Sequence, residues 1–232
     1  NSSAESNNSS AAKKKITMGT NATFPPFESV DDSGKIVGLD ADIAAAIAEK
    51  LNMELVIKDM DFDSLIPAVK GGSIDFAMAG MTVTDERKES VNFTDTYAKG
   101  VQVVIVKEGS AIKTVDDLKG KKIGVQTGTT GDSYCTGDYG QENVKQFANG
   151  PLAVAALQNG QIDCVVIDQQ PAKAYVASAS GLKILDTAYA DENYAIAVSK
   201  DNTELLNNIN KALSELKAAG KIDEIVGKYI KE

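Results

Sequence analysis

The segment from Ile74 to Arg87 decides how this chain folds, and it reads Ile-Asp-Phe-Ala-Met-Ala-Gly-Met-Thr-Val-Thr-Asp-Glu-Arg. Its first six residues are mostly apolar, which predicts a buried strand. Gly80 ends that run and lets other groups approach the backbone closely. Thr84 is a favourable N-cap, and the acidic Asp85 and Glu86 suit the first turn of a helix. The segment therefore predicts a strand, a glycine turn and a helix start.

The same segment collects groups that can bind an anion. Backbone N–H groups near Gly80 and two threonine hydroxyls follow the end of the predicted strand, and Arg87 falls in the same turn. A planar guanidinium can bind both oxygens of a carboxylate at once. The residues alone leave a second interpretation open, in which Arg87 pairs with Asp85 or Glu89 at an ordinary helix start.

Strands and helices alternate on both sides of this segment, which predicts an α/β fold with two similar sets of elements. The first set has strands at 15–19, 53–58 and from Ile74 to Ala79, with helices at 40–51 and at 64–70, the latter capped by Asp63. The second set has strands at 102–107, 122–126, 144–147 and 162–167, with helices from about 130, at 151–158 and at 169–178. A strand at 193–199 and helices at 202–219 and 222–230 close the chain.

Composition excludes several classes of function. The 232 residues carry a net charge of −9 and no histidine or tryptophan. Such a charge argues against a nucleic-acid partner or an anionic membrane surface. Without histidine there is no Ser-His-Asp triad, Cys-His pair or His-ligated metal, so binding is favoured over catalysis, with no catalytic residue, metal or cofactor expected. No apolar run reaches the ~20 residues that span a bilayer, and we expect any export signal to have been removed.

Five motifs in order carry a resemblance to a known family. They are Gly19-Thr-Asn-Ala-Thr-Phe-Pro-Pro-Phe-Glu28, Gly38-Leu-Asp-Ala-Asp42, Phe62-Asp-Ser-Leu-Ile-Pro67, Ala79-Gly-Met-Thr-Val-Thr-Asp-Glu-Arg-Lys88 and Gly124-Val-Gln-Thr-Gly-Thr-Thr-Gly131. From about residue 15 onward the chain resembles the polar amino-acid binding proteins (family 3 extracellular solute-binding proteins) of bacterial ABC importers.

The resemblance implies a domain organisation and a setting. It implies two doubly wound lobes joined by a two-strand hinge: lobe 1 at 15–100 and 196–232, lobe 2 at 101–195, with crossings near 100–102 and 192–195. Residues 1–14, polar at their start, are expected to be a disordered tether. The implied protein is an extracytoplasmic monomer, in the periplasm or as a cell-surface lipoprotein, which meets the membrane only through an N-terminal lipid anchor and delivers its ligand to a membrane permease.

Candidate ligand-binding residues sit at the carboxyl ends of predicted strands, where open α/β sheets bind ligands. By resemblance Arg87, with Thr82 and N–H groups near Gly80, holds the ligand carboxylate, Thr130 clamps it from the opposite lobe, and Asp168 holds the ammonium group. Two phenylalanines flank the side chain. The whole set is Asn21, Phe24, Phe62, Ala79, Gly80, Thr82, Arg87, Gln126, Thr130 and Asp168. The residues alone would equally allow Asp168 to be an N-cap.

The identity of the ligand is a choice between two classes. Relatives that take arginine, lysine or histidine often carry an acid where Asn21 stands, so its absence favours glutamine. The segment Gly124-Val125-Gln126 with Thr129-Thr130 looks more like the arginine binders. We therefore expect a basic amino acid, arginine first, with glutamine second.

Two alternative functions and one covalent feature complete the expectations. Some proteins of this fold are dehydratases of cyclic acids, for which Glu28 is the nearest loop carboxylate beyond Asp168, and others are ligand-sensing domains.

Cys135 and Cys164 could be buried thiols. Relatives usually carry small residues at both places, and the joint departure predicts a Cys135–Cys164 disulfide.

Overall fold

A computed structural model of the chain describes residues 13–186 and 188–231. The polar segment 1–12, most of the expected tether, lies outside the described residues. The strands are β1 Lys15–Thr20, β2 Thr23–Phe24, β3 Glu28–Val30, β4 Ile36–Val37, β5 Glu54–Asp59, β6 Phe76–Ala77, β7 Val91–Phe93, β8 Ala98–Lys107, β9 Ile123–Gln126, β10 Val144–Phe147, β11 Cys164–Asp168, β12 Leu182–Ile184, β13 Ala190–Tyr194 and β14 Ala197–Ser199.

The strands form two larger sheets and a small antiparallel sheet of β2, β3 and β4. Helices pack on the two larger sheets. They are α1 Leu39–Lys50, α2 Leu65–Lys70, α3 Asp85–Ser90, α4 Thr130–Tyr139, α5 Gly150–Gln158, α6 Gln169–Ser178, α7 Thr203–Ala218 and α8 Lys221–Tyr229. The predicted cap at Asp63 is wrong, because Phe62–Ser64 forms a 3₁₀ turn and α2 begins only after it.

The first sheet has the order β5-β1-β6-β14-β7. Its β5, β1 and β6 are parallel, whereas β14 is antiparallel to both of its neighbours, so the sheet as a whole is mixed. The strand predicted from Ile74 to Ala79 is reduced to Phe76–Ala77. On either side of these two residues single hydrogen bonds, Asp75 N–H to Thr17 O and Met78 N–H to Gly19 O, keep the run beside β1.

The second sheet has the order β10-β9-β11-β8-β12, with β13 also paired to β8. It is mixed for the same reason: β8 is antiparallel to β11, β12 and β13. Together the two sheets establish the two-lobed α/β fold that the alternation of elements predicts.

The chain crosses between the sheets through the antiparallel pair β8 and β13, whose ladder joins Ala98–Gln102 to Ala190–Tyr194. The strand predicted at 193–199 is two strands, β13 and β14, because Ala195 and Ile196 bond instead to Met81 and Thr94 while the chain changes sheet. Gly100 is required here by space: a Cβ atom would lie 2.2 Å from the hydroxyl of Tyr194.

Cys135 and Cys164 are free thiols, so the predicted disulfide is wrong in this structure. Both are fully buried in one apolar cluster with Val104, Val106 and Ile123. Burial raises the pKa of both thiols, that of Cys135 to about 12. The two residues therefore pack as small apolar side chains. Among the described residues no helix is long and apolar enough to cross a membrane.

Candidate functional site

One cavity between the two sheets contains every sequence-predicted site residue. It holds about 310 Å³ of empty space between atoms, a figure that includes space open to solvent. Its walls are Asn21, Phe24, Glu28, Phe62, Ala79, Gly80, Thr82, Arg87, Gln126, Thr129, Thr130 and Asp168. Sequence analysis assigned no binding role to Glu28 or Thr129.

Arg87 enters the cavity because Thr84 caps α3 as the sequence predicts. The Thr84 hydroxyl accepts a hydrogen bond from the Arg87 backbone N–H at 3.1 Å. The guanidinium donates through Nη1 to Thr82 O at 2.7 Å and through Nη2 to Gly128 O at 3.0 Å. Each terminal nitrogen carries a second N–H, so the two carbonyls fix the plane of the fork and leave it able to bind a carboxylate.

The alternative pairing of Arg87 with a neighbouring acid does not occur. Asp85 instead forms a salt bridge with Lys88, in which Lys88 Nζ lies 3.0 Å from Asp85 Oδ1 on the exposed side of α3. The Arg87 guanidinium lies 5.3 Å from the centre of the Phe62 ring, which therefore supports the arginine as well as lining the cavity. Burial lowers the pKa of Arg87, and the nearby carboxylates of Glu192 and Asp168 oppose that effect.

The predicted donors at Gly80 and Thr82 are already engaged by acids that lie far away in the sequence. The Gly80 N–H donates to Asp40 Oδ2 at 2.8 Å, and the Thr82 hydroxyl donates to Glu192 Oε2 at 3.0 Å. The Gly80 N–H itself is therefore already bonded, and the expectation that N–H groups near Gly80 bind a carboxylate stays a prediction. Gly80 instead lines the cavity because its backbone packs closely against the Phe24 ring. A Cβ atom at this position would lie 2.9 Å from that ring.

Thr130 presents a second donor from the opposite lobe. Thr129 caps α4, its hydroxyl accepting from Asp132 N–H at 3.3 Å, which makes Thr130 the first helical residue. The first N–H groups of a helix have no partner inside it, so the Thr130 N–H is available to an anion in the cavity. The cap signal, Thr followed three residues later by Asp, would have identified Thr129 in the sequence.

Asp168 stands at the N-terminus of α6 but its side chain does not cap that helix. Its carboxylate accepts a hydrogen bond from the hydroxyl of Tyr194 on the crossing strand β13. Burial raises the pKa of Asp168 to about 7, and the charge of Glu192 adds to the effect. A buried carboxylate of this kind is strongly stabilised by a cation.

Asn21 and Gln126 hold the two lobes together across the cavity. Gln126 Nε2 donates to Asn21 Oδ1 at 2.9 Å, and Asn21 Nδ2 donates to Met60 O at 2.9 Å. A second bond across the cleft joins the Tyr175 hydroxyl to Thr23 O at 2.6 Å. The Asn21 oxygen and one of the two N–H groups of its amide are thus engaged by protein groups.

Glu28 lines the cavity although sequence reasoning gave it no role in ligand binding. It is 1% exposed, and neither carboxyl oxygen has a hydrogen-bond partner among the described residues. Burial, followed by the charge of Asp40, raises its pKa well above the ordinary value. A buried polar group without a partner is costly, which points to a donor supplied by a ligand. The only sequence feature that could have indicated a role for Glu28 in the site is its position directly after Phe-Pro-Pro-Phe.

The described residues contain no group of three or more Cys, Asp or Glu residues that could hold a metal ion. The cavity instead places one guanidinium, two carboxyl groups, a helix N-terminus and aromatic walls around one space. These are the groups that recognise a compact ligand carrying both signs of charge.

The chain is similar to known proteins along nearly its whole length. Residues 16–232 match the bacterial extracellular solute-binding proteins, family 3. The chain is 38% identical over 222 residues to a probable histidine-binding protein of Neisseria gonorrhoeae, covering 93% of this chain and 83% of that protein. It is 36% identical over 220 residues to ABC transporter arginine-binding protein 1 of Escherichia coli strain K12, covering 93% and 90%.

A solved structure extends the likeness to the whole fold. An ancestral arginine-binding protein bound to glutamine matches with a TM-score of 0.90 and 45% identity, covering 95% of this chain and 99% of that one. The chain therefore belongs to family 3 of the bacterial extracellular solute-binding proteins.

Proposed function

We propose that this protein is the receptor of an ABC importer and that it binds a free basic amino acid, arginine first, between its two lobes. The observation that carries the proposal is the division of charge in one buried cavity. Arg87 lies on the first lobe, Asp168 on the second, and Glu28 adds an unpartnered carboxyl group. An amino acid with a cationic side chain has a matching group for each of the three.

The carboxylate and the α-ammonium group, which every free amino acid carries, would be held by groups from both lobes. The remaining N–H groups of Arg87 bind the carboxylate, and the Thr130 N–H at the start of α4 binds it from the other side. Asp168 binds the α-ammonium group. Because these partners lie on different lobes, the ligand gains all of its contacts only when the lobes are together.

Glu28 and the two phenylalanines would select the ligand by its side chain. A guanidinium can stack on an aromatic wall and donate to a carboxylate at its edge. Glu28 thereby supplies the acid that is absent at position 21. Relatives support both ligand classes, since their names include arginine and histidine and one ancestral structure holds glutamine; glutamine is the second choice.

The partner of the closed receptor would be the membrane permease of the importer. We place the protein outside the cytoplasm, as a monomer in the periplasm or tethered by an N-terminal lipid anchor. The receptor needs no cofactor or metal for this role.

A thermal-shift screen of the twenty amino acids tests the proposal. A ligand that binds only the folded state raises the melting temperature in proportion to the logarithm of its excess over Kd. Arginine should give the largest shift, followed by other basic amino acids or glutamine. No shift with any of the twenty would contradict the proposal.

An enzyme on the same fold is the second candidate, because a buried acid with a raised pKa is also what a dehydratase requires. We expect no turnover when the protein is incubated with a prephenate-like cyclohexadienyl acid. Conversion of that acid at a rate proportional to protein concentration would favour the enzyme.

Removing the charge of Asp168 should weaken binding of every amino acid. Asp168→Asn keeps the shape but leaves the α-ammonium without its counter-charge in a buried site, so we expect a loss of at least about thirtyfold, or ~2 kcal/mol. Arginine should likewise bind far better than its des-amino analogue. Calorimetry that finds equal affinities for arginine and the des-amino acid would remove this role from Asp168.

Ligand binding should make the protein more compact in solution. The crossing strands β8 and β13 form the connection about which two lobes can rotate, and hinges absorb such motion in a few residues. A ligand that touches both lobes favours the closed population. Small-angle scattering should give a smaller radius of gyration with saturating arginine than without it. An identical radius would indicate a receptor that closes before its ligand arrives.

A further inference from the structure

Two buried carboxyl groups face each other beside the cavity, and the binding scheme above uses only one of them. Asp40, on α1, is fully buried, and Glu28 is 1% exposed. Asp40 Oδ2 accepts from the Gly80 N–H and from the Tyr97 hydroxyl, each at 2.8 Å. Asp40 Oδ1 and both oxygens of Glu28 have no partner among the described residues.

One proton would satisfy this arrangement. Carboxyl groups that share a buried site do not both ionise readily, and a proton on one can bridge to the other. Asp40 already receives two donors at Oδ2, which favours its charged form, so the proton belongs on Glu28 and is donated to Asp40 Oδ1. The second oxygen of Glu28 then remains as an acceptor.

The other titratable groups that face Glu28 favour the same state. They are Asp59 at the end of β5, Asp168 at the end of β11, and Tyr175 on α6, while Tyr97 lies behind Asp40. Burial, the charge of Asp40 and the closeness of the two carboxyl groups raise the pKa of Glu28 well above its ordinary value. Burial also raises the pKa of Asp40, to about 7.

We propose that the Glu28–Asp40 pair holds a proton in the ligand-free receptor, that a cationic ligand side chain expels this proton to solvent, and that a neutral side chain leaves it in place. The proposal rests on the proposed function, because it takes Glu28 to meet the side chain of a bound amino acid. It makes the proton content of the pair the property that selects between arginine and a neutral ligand.

The direction of the pH dependence follows from linkage. A bound guanidinium stabilises the carboxylate and lowers the pKa of the pair. Arginine affinity should therefore rise with pH, by up to about tenfold per pH unit for one released proton, until the ligand-free pair is itself deprotonated. Binding of a neutral ligand should not depend on this pair. Asp168 faces the α-ammonium of either ligand, so its contribution cancels in the comparison.

Calorimetry with arginine and its neutral isostere citrulline measures the difference directly. Titrations near pH 7 in buffers of different ionisation enthalpy give the number of protons released by each ligand. We expect arginine to release more than citrulline or glutamine, approaching about one proton. We also expect the ratio of arginine affinity to citrulline affinity to rise from about pH 5 to about pH 8.

Two matched variants assign the proton to the pair. In Asp40→Asn the amide oxygen can still accept from Gly80 and Tyr97, while the amide nitrogen donates to Glu28 and stabilises its charged form. The extra proton release should disappear and the pH dependence should move to lower pH. Asp59→Asn removes a facing charge of the same kind, retains an oxygen for the Ala22 N–H that Asp59 now bonds at 2.8 Å, and should keep the proton release.

The outcomes separate this inference from the proposed function. Equal proton release on binding of arginine and of the neutral ligands overturns the inference alone. The inference is also overturned if Asp40→Asn releases as many protons on arginine binding as the wild type does. A receptor that binds none of these amino acids overturns the proposed function and the inference with it.

Discussion

Arg87→Ala is expected to reduce affinity for every amino-acid ligand by at least about a hundredfold. Arg87 is mostly buried, and its guanidinium is fixed by two carbonyls, Thr82 O at 2.7 Å and Gly128 O at 3.0 Å. Removing one partner of a buried, charge-assisted pair typically costs ~2–5 kcal/mol, and each ~1.4 kcal/mol is tenfold in Kd. Calorimetric titration of the purified variant with arginine measures the loss.

Two controls separate binding from folding. Arg87→Lys should not restore affinity, because a point charge replaces neither the fork nor the two carbonyl contacts. Lys88→Ala, one residue further along the same helix, removes an exposed cation paired with Asp85 and should leave affinity unchanged. Wild-type affinity in a folded Arg87→Ala protein would show that the ligand carboxylate binds elsewhere.

Glu28→Gln is expected to change which amino acid is preferred. The substitution keeps the size of the side chain but removes the only unpartnered carboxyl group in the wall of the cavity among the described residues. Arginine should lose at least about thirtyfold in affinity, since a buried cation without its counter-charge costs ~2 kcal/mol or more. Glutamine and citrulline should lose much less.

Competition experiments measure this selectivity most simply. The ratio of the arginine and glutamine dissociation constants should fall or invert in Glu28→Gln, while Glu54→Gln, which loses an exposed carboxylate on the outer strand β5, should match the wild type. An unchanged ratio in Glu28→Gln would exclude Glu28 as the group that meets the ligand's side chain.

Local signals in the sequence identified the elements that carry the site. The spacing of apolar residues and caps predicted the strand at 144–147 and the helix at 169–178 with the bounds found in the structure. The cap at Thr84 is why Arg87 could be placed at the strand end, since capping acts between residues three apart. The resemblance to a known family supplied the ten candidate residues, and the carboxyl-end rule agrees with it for those that directly follow strands, because that rule depends only on strand direction.

Contacts between distant residues could not be predicted in the same way. No residue near Gly80 in the sequence predicts a partner for its N–H. Its partner Asp40 lies 40 residues earlier in the chain, and only the fold brings the two together. The isolation of Glu28 depends likewise on burial by α1, α6 and the second lobe. The expected disulfide rested on both positions differing from the small residues of relatives. The two cysteines do lie in one apolar cluster, but they pack there as thiols.

A crystal structure of the protein with arginine tests the central claim most directly, namely that each charge of the ligand has its own partner. The account predicts the ligand carboxylate on Arg87 and the Thr130 N–H, the α-ammonium on Asp168, and the guanidinium on Glu28, each within about 3.2 Å. Arginine bound in the reverse direction, or with its guanidinium directed to solvent and Glu28 without a partner, would contradict the account.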